Sequence, residues 1–504
     1  MTALSTLHAL RDFGGTRQTE GLTDAVLSDF LASDTTLGRA IEEAWARHQS
    51  LQGELGTLLA GSEAELVAAL QTEIVNFYPA ETVNPYVALA AAGPWVVTTH
   101  GAVLHDNGGY GMLGMGHGPS GIMAVMGESH VMANVMTASL THKRFTDRLQ
   151  REVGQTRGGC PFDKFICMNS GSEAVTVAFR IADVNAARHT APGASHAGRP
   201  VKILSLEGSF HGRTDRPAQA SDSCLGTYRK HLRTHRDNNN LITVPPNDVE
   251  ALRAAFAQAE REGVFIEMML IEPVMGEGDP GLACSRPFYD VARELTLAHG
   301  SLLLVDSIQA GLRGTGYLSF VDYPGFEDAA APDLETWSKA LNAGQYPLSV
   351  LGLTSRASAL YVRGIYGNTM TTNPRALEVG CAVLDGLTPE IRANIRDRGQ
   401  DFLDGLAGLM NEFPGVVTKV QGTGLLFSAE LEGIAVVGWD GIETWLRKHG
   451  LGVIHGGENS LRFTPHFGVT RAEVDLIVDL VRQGVRHFTG PALKAPAISS
   501  EARV

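Results

Sequence analysis

The chain reads as an α/β protein, a mostly parallel central sheet with helices on both faces, joined to a smaller α+β domain. Past Arg148, short apolar runs (KFICMN, VKILSLEG, IEMMLIEPV, SLLLVDSI, DLETWS and LSVLGLT) alternate with segments of helical periodicity. Runs that are apolar throughout, rather than at every second residue, suit strands buried on both faces, with the intervening helices as cover. After Pro389 the texture changes. A helical stretch over 394–411 leads into VVTKVQGTGLLFSAEL, a further helix, the strand-like LRFTPHF and a closing helix over about 470–488. That mixture predicts the smaller domain.

Taken in order, residues 1–77 form a helical N-terminal extension. Ile41, Ala44, Leu51, Leu55, Leu58 and Leu59 recur near helical spacing, and Ser62 with Glu65 fits a capping box. Nothing there carries evident chemistry, and a surface or subunit-contact role is expected rather than a lid. Residues 78–145, rich in glycine, read as short strands and turns that form the N-terminal part of the small domain. Residues 146–389 form the large domain, with helices over 173–188, 287–299 and 374–387. Residues 390–490 complete the small domain, and 491–504 read as a disordered tail.

Composition narrows the function. A formal net charge of −14 argues against nucleic acid or an anionic membrane surface as partner. Five scattered cysteines without a CxxC pair suit a reducing compartment rather than a disulfide framework or zinc ribbon. The opening MTALSTLHALRDFGG has no long apolar segment of the secretory kind. No apolar run approaches the roughly 20 residues that span a bilayer. A cytoplasmic setting is expected.

Three segments place reactive groups at strand ends, where α/β sheets put their sites. In MNSGSEAV, Ser170, Gly171 and Ser172 make a tight turn into a helix, whose first N–H groups could meet a phosphate or merely cap the turn. SLLLVDSIQAG ends an apolar strand on Asp306, with Gln309 one turn on, as a functional carboxylate or a cap. DLETWSKAL puts Lys339 just past another strand, as a reactive amine or a solvated one.

Together these segments resemble the class III (ornithine/GABA-type) aminotransferases. NSGSEAV is similar to the family's phosphate cup and EGSFHGRT to its FHGRT segment. IEPVMGEGDPG is close to EPxxGEGG, and VDSIQAGLRGTG to DExQTGxxRTG. WSKALNAGQYPLSV resembles the lysine-bearing segment, YGNTMTTNPRALEVGCAVLD the HGSTxxGNP segment, and GTGLLFSAEL and LRFTPHF the C-terminal signatures. The resemblance runs from about Asn84 to Phe488. It implies a fold type I enzyme holding pyridoxal 5′-phosphate as a Schiff base on Lys339, with Asp306 on the pyridine nitrogen and Gln309 on the 3′-oxygen. Ser170, Gly171 and Ser172 would hold the phosphate, Phe210 or His211 would cover the ring face, and Thr369 would reach the phosphate of a neighbouring subunit in a homodimer. It further implies Arg462 as the carboxylate-binding arginine, Glu277 as its gating partner and Arg213 as a second carboxylate ligand. Four positions depart from the pattern: Ser307 stands where the family has glutamate, Met275 where it has glutamine, and Thr371 and Thr372 where it has two glycines.

The implied reaction moves an amino group from an amine or amino acid to a 2-oxo acid. Racemisation or epimerisation, decarboxylation and elimination use the same lysine and stay open, since sequence does not show which substrate bond stands perpendicular to the ring. A catalytically silent homologue is disfavoured because Lys339 and Asp306 are both present. GYGMLG (Gly109, Gly111, Gly114) fits GxGxxG but follows a turn rather than a strand, so no dinucleotide site is expected. His231 and His235 have i, i+4 spacing without partners for zinc, so a solvated helix face and no metal are expected.

Overall fold

A computed structural model describes residues 1–108, 110–132 and 138–490. Gly109 of GYGMLG and the tail at 491–504 lie outside the described residues. The described chain divides into two compact units. One contains residues 1–120, 397–421 and the C-terminal part from Phe427; the other contains 121–396 and 422–426.

The second unit holds a seven-stranded sheet. In chain order its strands are β1 (Lys164–Met168), β2 (Val201–Leu206), β3 (Leu241–Val244), β4 (Phe265–Ile271), β5 (Leu302–Asp306), β6 (Leu334–Trp337) and β7 (Ser349–Leu353). The spatial order is β1-β7-β6-β5-β4-β2-β3. All six predicted runs are strands, and the edge strand β3, from the short LITV, is additional. Only β7 runs antiparallel to its neighbours β1 and β6. The reason is local: between β6 and β7 the chain makes a 3₁₀ turn at Lys339–Asn342 and no crossover helix, which a parallel partner would need.

Alternation explains why the runs are apolar throughout. Along β5, Leu302 and Leu304 enter one core cluster with the helix Gly171–Thr190, while Leu303 and Val305 enter the other. That second cluster holds Phe256 and Phe288 from the helices Val249–Glu262 and Arg286–His299. The latter helix starts with proline in its first turn and stops at Gly300, whose φ of 82° is left-handed and favours glycine.

A charge is buried inside this sheet. Glu267 on β4 is 1% exposed, pairs with Arg216, and is pushed up to about 7 by desolvation. A carboxyl raised in this way stabilises the fold fully below its unfolded pKa, and that contribution is lost as pH rises through the folded value. Glu267→Gln has no proton to lose. Its stability relative to wild type should therefore improve between pH 5 and 7, by up to about 1.4 kcal/mol per pH unit. Denaturant titrations of both proteins at several pH values check this, and a pH-independent difference would contradict it.

The first unit contains the N-terminal helices Ala3–Phe13, Asp24–Leu31, Thr35–Leu59 and Glu63–Gln71. Ser62 and Glu65 form the expected capping box. Ile41, Ala44 and Leu59 are buried, whereas Leu58 faces solvent. These helices are built into the unit. Gln18 and Thr19 donate backbone N–H groups to Glu63 Oε2 at 2.8 Å each, Leu22 N donates to Val103 O at 2.9 Å, and Thr35–Leu59 packs on the strand Ala88–Ala92. The strand Ser460–Phe463 pairs antiparallel with Phe427–Glu430 and with Ile454–Gly456. The closing helix, Arg471–Thr489, starts at a second capping box in which Glu473 also accepts from His105 and His466 at 3.0 Å each. Burial alone would raise the Glu473 pKa, yet those hydrogen bonds hold it well below the usual carboxylate range.

One expectation is corrected in detail. His231 ends the helix Asp222–His231, and the chain breaks at Leu232, so His235 is not on the same face; it is buried with its ring 5.3 Å from Tyr228. Among the described residues neither joins a metal-binding group. Among the described residues no helix is long and apolar enough to cross a membrane.

Candidate active site

The carboxyl ends of the strands in the second unit gather the reactive groups. Asp306 is the last residue of β5 and is 4% exposed. Its Oδ1 accepts from Thr336 Oγ1 at 3.0 Å and from Ile308 N at 3.2 Å, and its Oδ2 lies 2.8 Å from His211 Nδ1. A carboxylate only accepts, so His211 donates from Nδ1. Its Nε2, 3.1 Å from Ser205 Oγ, is then the acceptor of that hydroxyl. This chain of buried bonds fixes the carboxylate plane.

Lys339 follows β6 by two residues, with a φ of 42°. A lysine in the left-handed region costs of order 1 kcal/mol, held here by the surrounding turn. Its Nζ donates to Gln309 Oε1 at 2.7 Å. Since β5 and β6 run parallel with Asp306 opposite Thr336, Asp306 and Lys339 leave the sheet at the same end.

At β1, Ser170 caps the helix Gly171–Thr190 through a 3.3 Å bond from Glu173 N, while helix geometry leaves the first N–H groups, those of Gly171 and Ser172, without intrahelical acceptors. Phe210 is half-buried, its N–H donating to Glu272 Oε1 at 2.9 Å, and the Arg213 guanidinium carbon sits 5.1 Å from its ring centroid. Arg213 also donates to Tyr228 Oη at 3.4 Å. Glu272, buried just past β4, is pushed up to about 7 by desolvation, with the nearby Asp306 charge adding to the rise and His211 opposing it.

Thr369 is exposed, on a loop tied to the helix Gly171–Thr190: Asn368 Nδ2 donates to Glu173 Oε1 at 3.0 Å and Tyr366 donates to the same oxygen. Thr372, where the family pattern has glycine, has a φ of 60°, a conformation a β-branched residue adopts only under strain. Met275 is buried, and Ser307 donates to Glu335 Oε1 at 2.6 Å. Glu277 belongs to the second unit and Arg462 to the first. Within its unit Arg462 is 1% exposed, its guanidinium carbon 5.5 Å from the Tyr110 ring centroid.

A mostly parallel sheet of this order, with a carboxylate and a lysine at the same strand ends, has the architecture of the fold type I pyridoxal-phosphate enzymes. The family model for aminotransferase class-III matches residues 77–485, and the chain belongs to that family. It is similar to the acetylornithine aminotransferase of Neisseria meningitidis serogroup B, 29% identical over 386 residues, covering 76% of this chain and 89% of the relative. The acetylornithine aminotransferase of Agrobacterium fabrum is 32% identical over 314 residues, covering 62% and 71%. Among solved structures, the ornithine aminotransferase of Toxoplasma gondii ME49 aligns with a TM-score of 0.71 at 22% identity, over 86% of this chain and 97% of that one. The protein is therefore a pyridoxal-phosphate-dependent aminotransferase, and of the outcomes left open above, amino-group transfer is the one its family supports.

The residues present fit that cofactor. Among the described residues Gln309 Nε2 is buried with no hydrogen-bond partner, which suits a donor to the ring's 3′-oxygen. Asp306 Oδ2 can accept a second bond beside the one from His211. Sequence reasoning missed three groups here: His211 as the partner of Asp306, Thr336 on the neighbouring strand, and Glu173 as the tie to the Thr369 loop. Strand alternation could have found Thr336, which shares a face with Asp306.

Proposed function

We propose that Lys339 carries the cofactor and that Asp306, Gln309 and the turn Ser170–Gly171–Ser172 hold its ring nitrogen, 3′-oxygen and phosphate, in a homodimer that moves an amino group from an amine or amino acid to a 2-oxo acid. The observation that carries this reading is the Lys339 Nζ bond to Gln309 Oε1, 2.7 Å, at the same sheet end as Asp306. Pyridoxal phosphate, when bound, supplies an aldehyde for a primary amine and a protonated ring that draws electrons from the substrate carbon.

The chain's own groups do the rest. Lys339 Nζ would hold the cofactor and would carry the proton at the substrate carbon. Asp306 holds the proton on the ring nitrogen, and His211 with Thr336 keeps that carboxylate aimed. Because His211 is fully engaged behind Asp306, Phe210 is the residue proposed to cover the ring. The direct test is spectroscopic. A productive amine should bleach the visible band of the bound cofactor, and a 2-oxo acid should restore it. Bleaching by no amine, or without restoration by any 2-oxo acid, would contradict transfer.

Arg462 is the proposed fork for a substrate carboxylate, gated by Glu277, with Arg213 as a second ligand. The names of the relatives, acetylornithine and ornithine aminotransferases, support a carboxylate-bearing amine as donor. A guanidinium grips such a group through two parallel bonds, charge-assisted hydrogen bonds being worth about 1.5–3 kcal/mol each. Arg462→Ala should raise KM for a dicarboxylic partner by roughly 10²-fold, with a much smaller effect on a monoamine. Equal losses on both, with a lowered melting temperature, would make Arg462 a packing residue.

The exposed Thr369 loop supports a cup shared between subunits, so cofactor retention should fall as dimers dissociate. Sedimentation showing an active, fully loaded monomer would rule this out. The five cysteines, all free, support a cytoplasmic setting, which cell fractionation tests. The division into an extension (1–77), a large domain (146–389) and a small domain from 78–145 and 390–490 is testable by limited proteolysis, which should cut near those borders.

A further inference from the structure

Glu335 is a buried carboxylate that the mechanism above does not use. It is wholly inaccessible, and four groups donate to it: Ser307 Oγ at 2.6 Å, Ser319 Oγ at 2.5 Å, Phe320 N at 2.8 Å and Trp337 Nε1 at 3.1 Å. Among the described residues no cation pairs with it. Despite the four donors, burial pushes it up to about 7. An unpaired buried charge is costly, and removing the carboxylate would leave four buried donors without an acceptor, so the group is tied into its surroundings.

The partners of Glu335 reveal its use. Alternation along β6 sends Thr336 to the face that meets Asp306 and Glu335 to the opposite face, opposite Val305 in the ladder. From there it grips Ser307, the residue after Asp306 and two before Gln309, and Trp337, two residues before Lys339. It also takes Ser319 and Phe320 from the segment that returns to the sheet. One carboxylate thus ties together the two strand ends that hold Asp306, Gln309 and Lys339. Ser307 is also where the family pattern has a glutamate, so in this chain the acid stands one strand over and bonds back to the vacated position.

We propose that Glu335 is a positioning residue, which fixes the strand end bearing Asp306 and Gln309 against the strand that leads into Lys339. The inference rests on the assignment of Lys339 and Asp306 made above. In the holoenzyme, Glu335→Val should lower kcat by roughly 10–100-fold with KM little changed, since small misplacements of catalytic groups cost rates of that order. It should also shift the pH midpoint of the visible cofactor band. The double variant Ser307→Glu/Glu335→Val, which puts the carboxylate on the other strand, should recover most of the lost kcat and return the midpoint. Ser307→Glu alone crowds two carboxylates and should be impaired.

The proposal is overturned if Glu335→Val folds and keeps the wild-type kcat and midpoint, or if the double variant is no better than the single one. Should Glu335→Val not fold, Glu335→Gln, which keeps the shape, decides: an unchanged kcat and midpoint sink the idea. Reductive labelling of the wild type separates the two levels. Cofactor on a lysine other than Lys339 removes the underlying assignment, while cofactor on Lys339 with no Glu335 effect removes only this inference.

Discussion

Lys339→Ala should bind pyridoxal phosphate without the visible band of the covalently held cofactor and should turn over at least about 10²–10⁴-fold more slowly, the range a positioned proton carrier contributes. The protein should stay folded. Lys339 is only half-buried, and alanine tolerates a φ of 42° about as well as lysine does. The loss is therefore chemical. A small primary amine such as methylamine, added at high concentration, should restore part of the activity by taking the place of Nζ. A variant that kept the band and the rate would move the reactive amine elsewhere.

Asp306→Asn should cost roughly 10²–10³ in kcat, as expected for a lost electrostatic partner of the developing charge, with much of the cofactor still bound. The network around Asp306 says why binding survives. The asparagine oxygen can keep the bonds from Thr336 Oγ1 and Ile308 N, and the new amide can donate to His211 Nδ1 once that ring moves its proton to Nε2 and donates to Ser205. The hydrogen bonds are re-made, but the charge that keeps the ring nitrogen protonated is gone. Near-wild-type activity in Asp306→Asn would show that the carboxylate serves the turn at Ile308 rather than the cofactor.

The large-domain strands were legible because they carry short apolar runs: KFICM, VKILSL and LLLVD each became a strand, LLLVD buried along its whole length. The edge strand LITV was not, being four residues long and only partly buried, and the antiparallel sense of β7 followed from the turn at Lys339–Asn342 rather than from any residue type. At the site, Asp306 and Lys339 stood out by their places at strand ends, each with a bland alternative as a cap or a solvated amine, and the roles expected of them came from the family resemblance. His211 was read as a possible ring cover rather than as the partner of Asp306, and Glu335 was not singled out, since a histidine after a strand and a glutamate within one carry no local signal of the partner they meet. His211 bonds a residue 95 positions away, and Glu335 is joined to Ser307 across the sheet, 28 positions earlier. Thr372 was visible only as a departure from glycine, and the backbone angle gives it a physical meaning.

The most direct measurement of the central claim is to treat the holoenzyme with borohydride, digest it and locate the reduced pyridoxyl group by mass spectrometry. The group should be found on the peptide that contains Trp337, Ser338 and Lys339, at Lys339, in about one copy per chain. A pyridoxyl group on any other lysine, or none in a protein with the visible band, would contradict the assignment of Lys339.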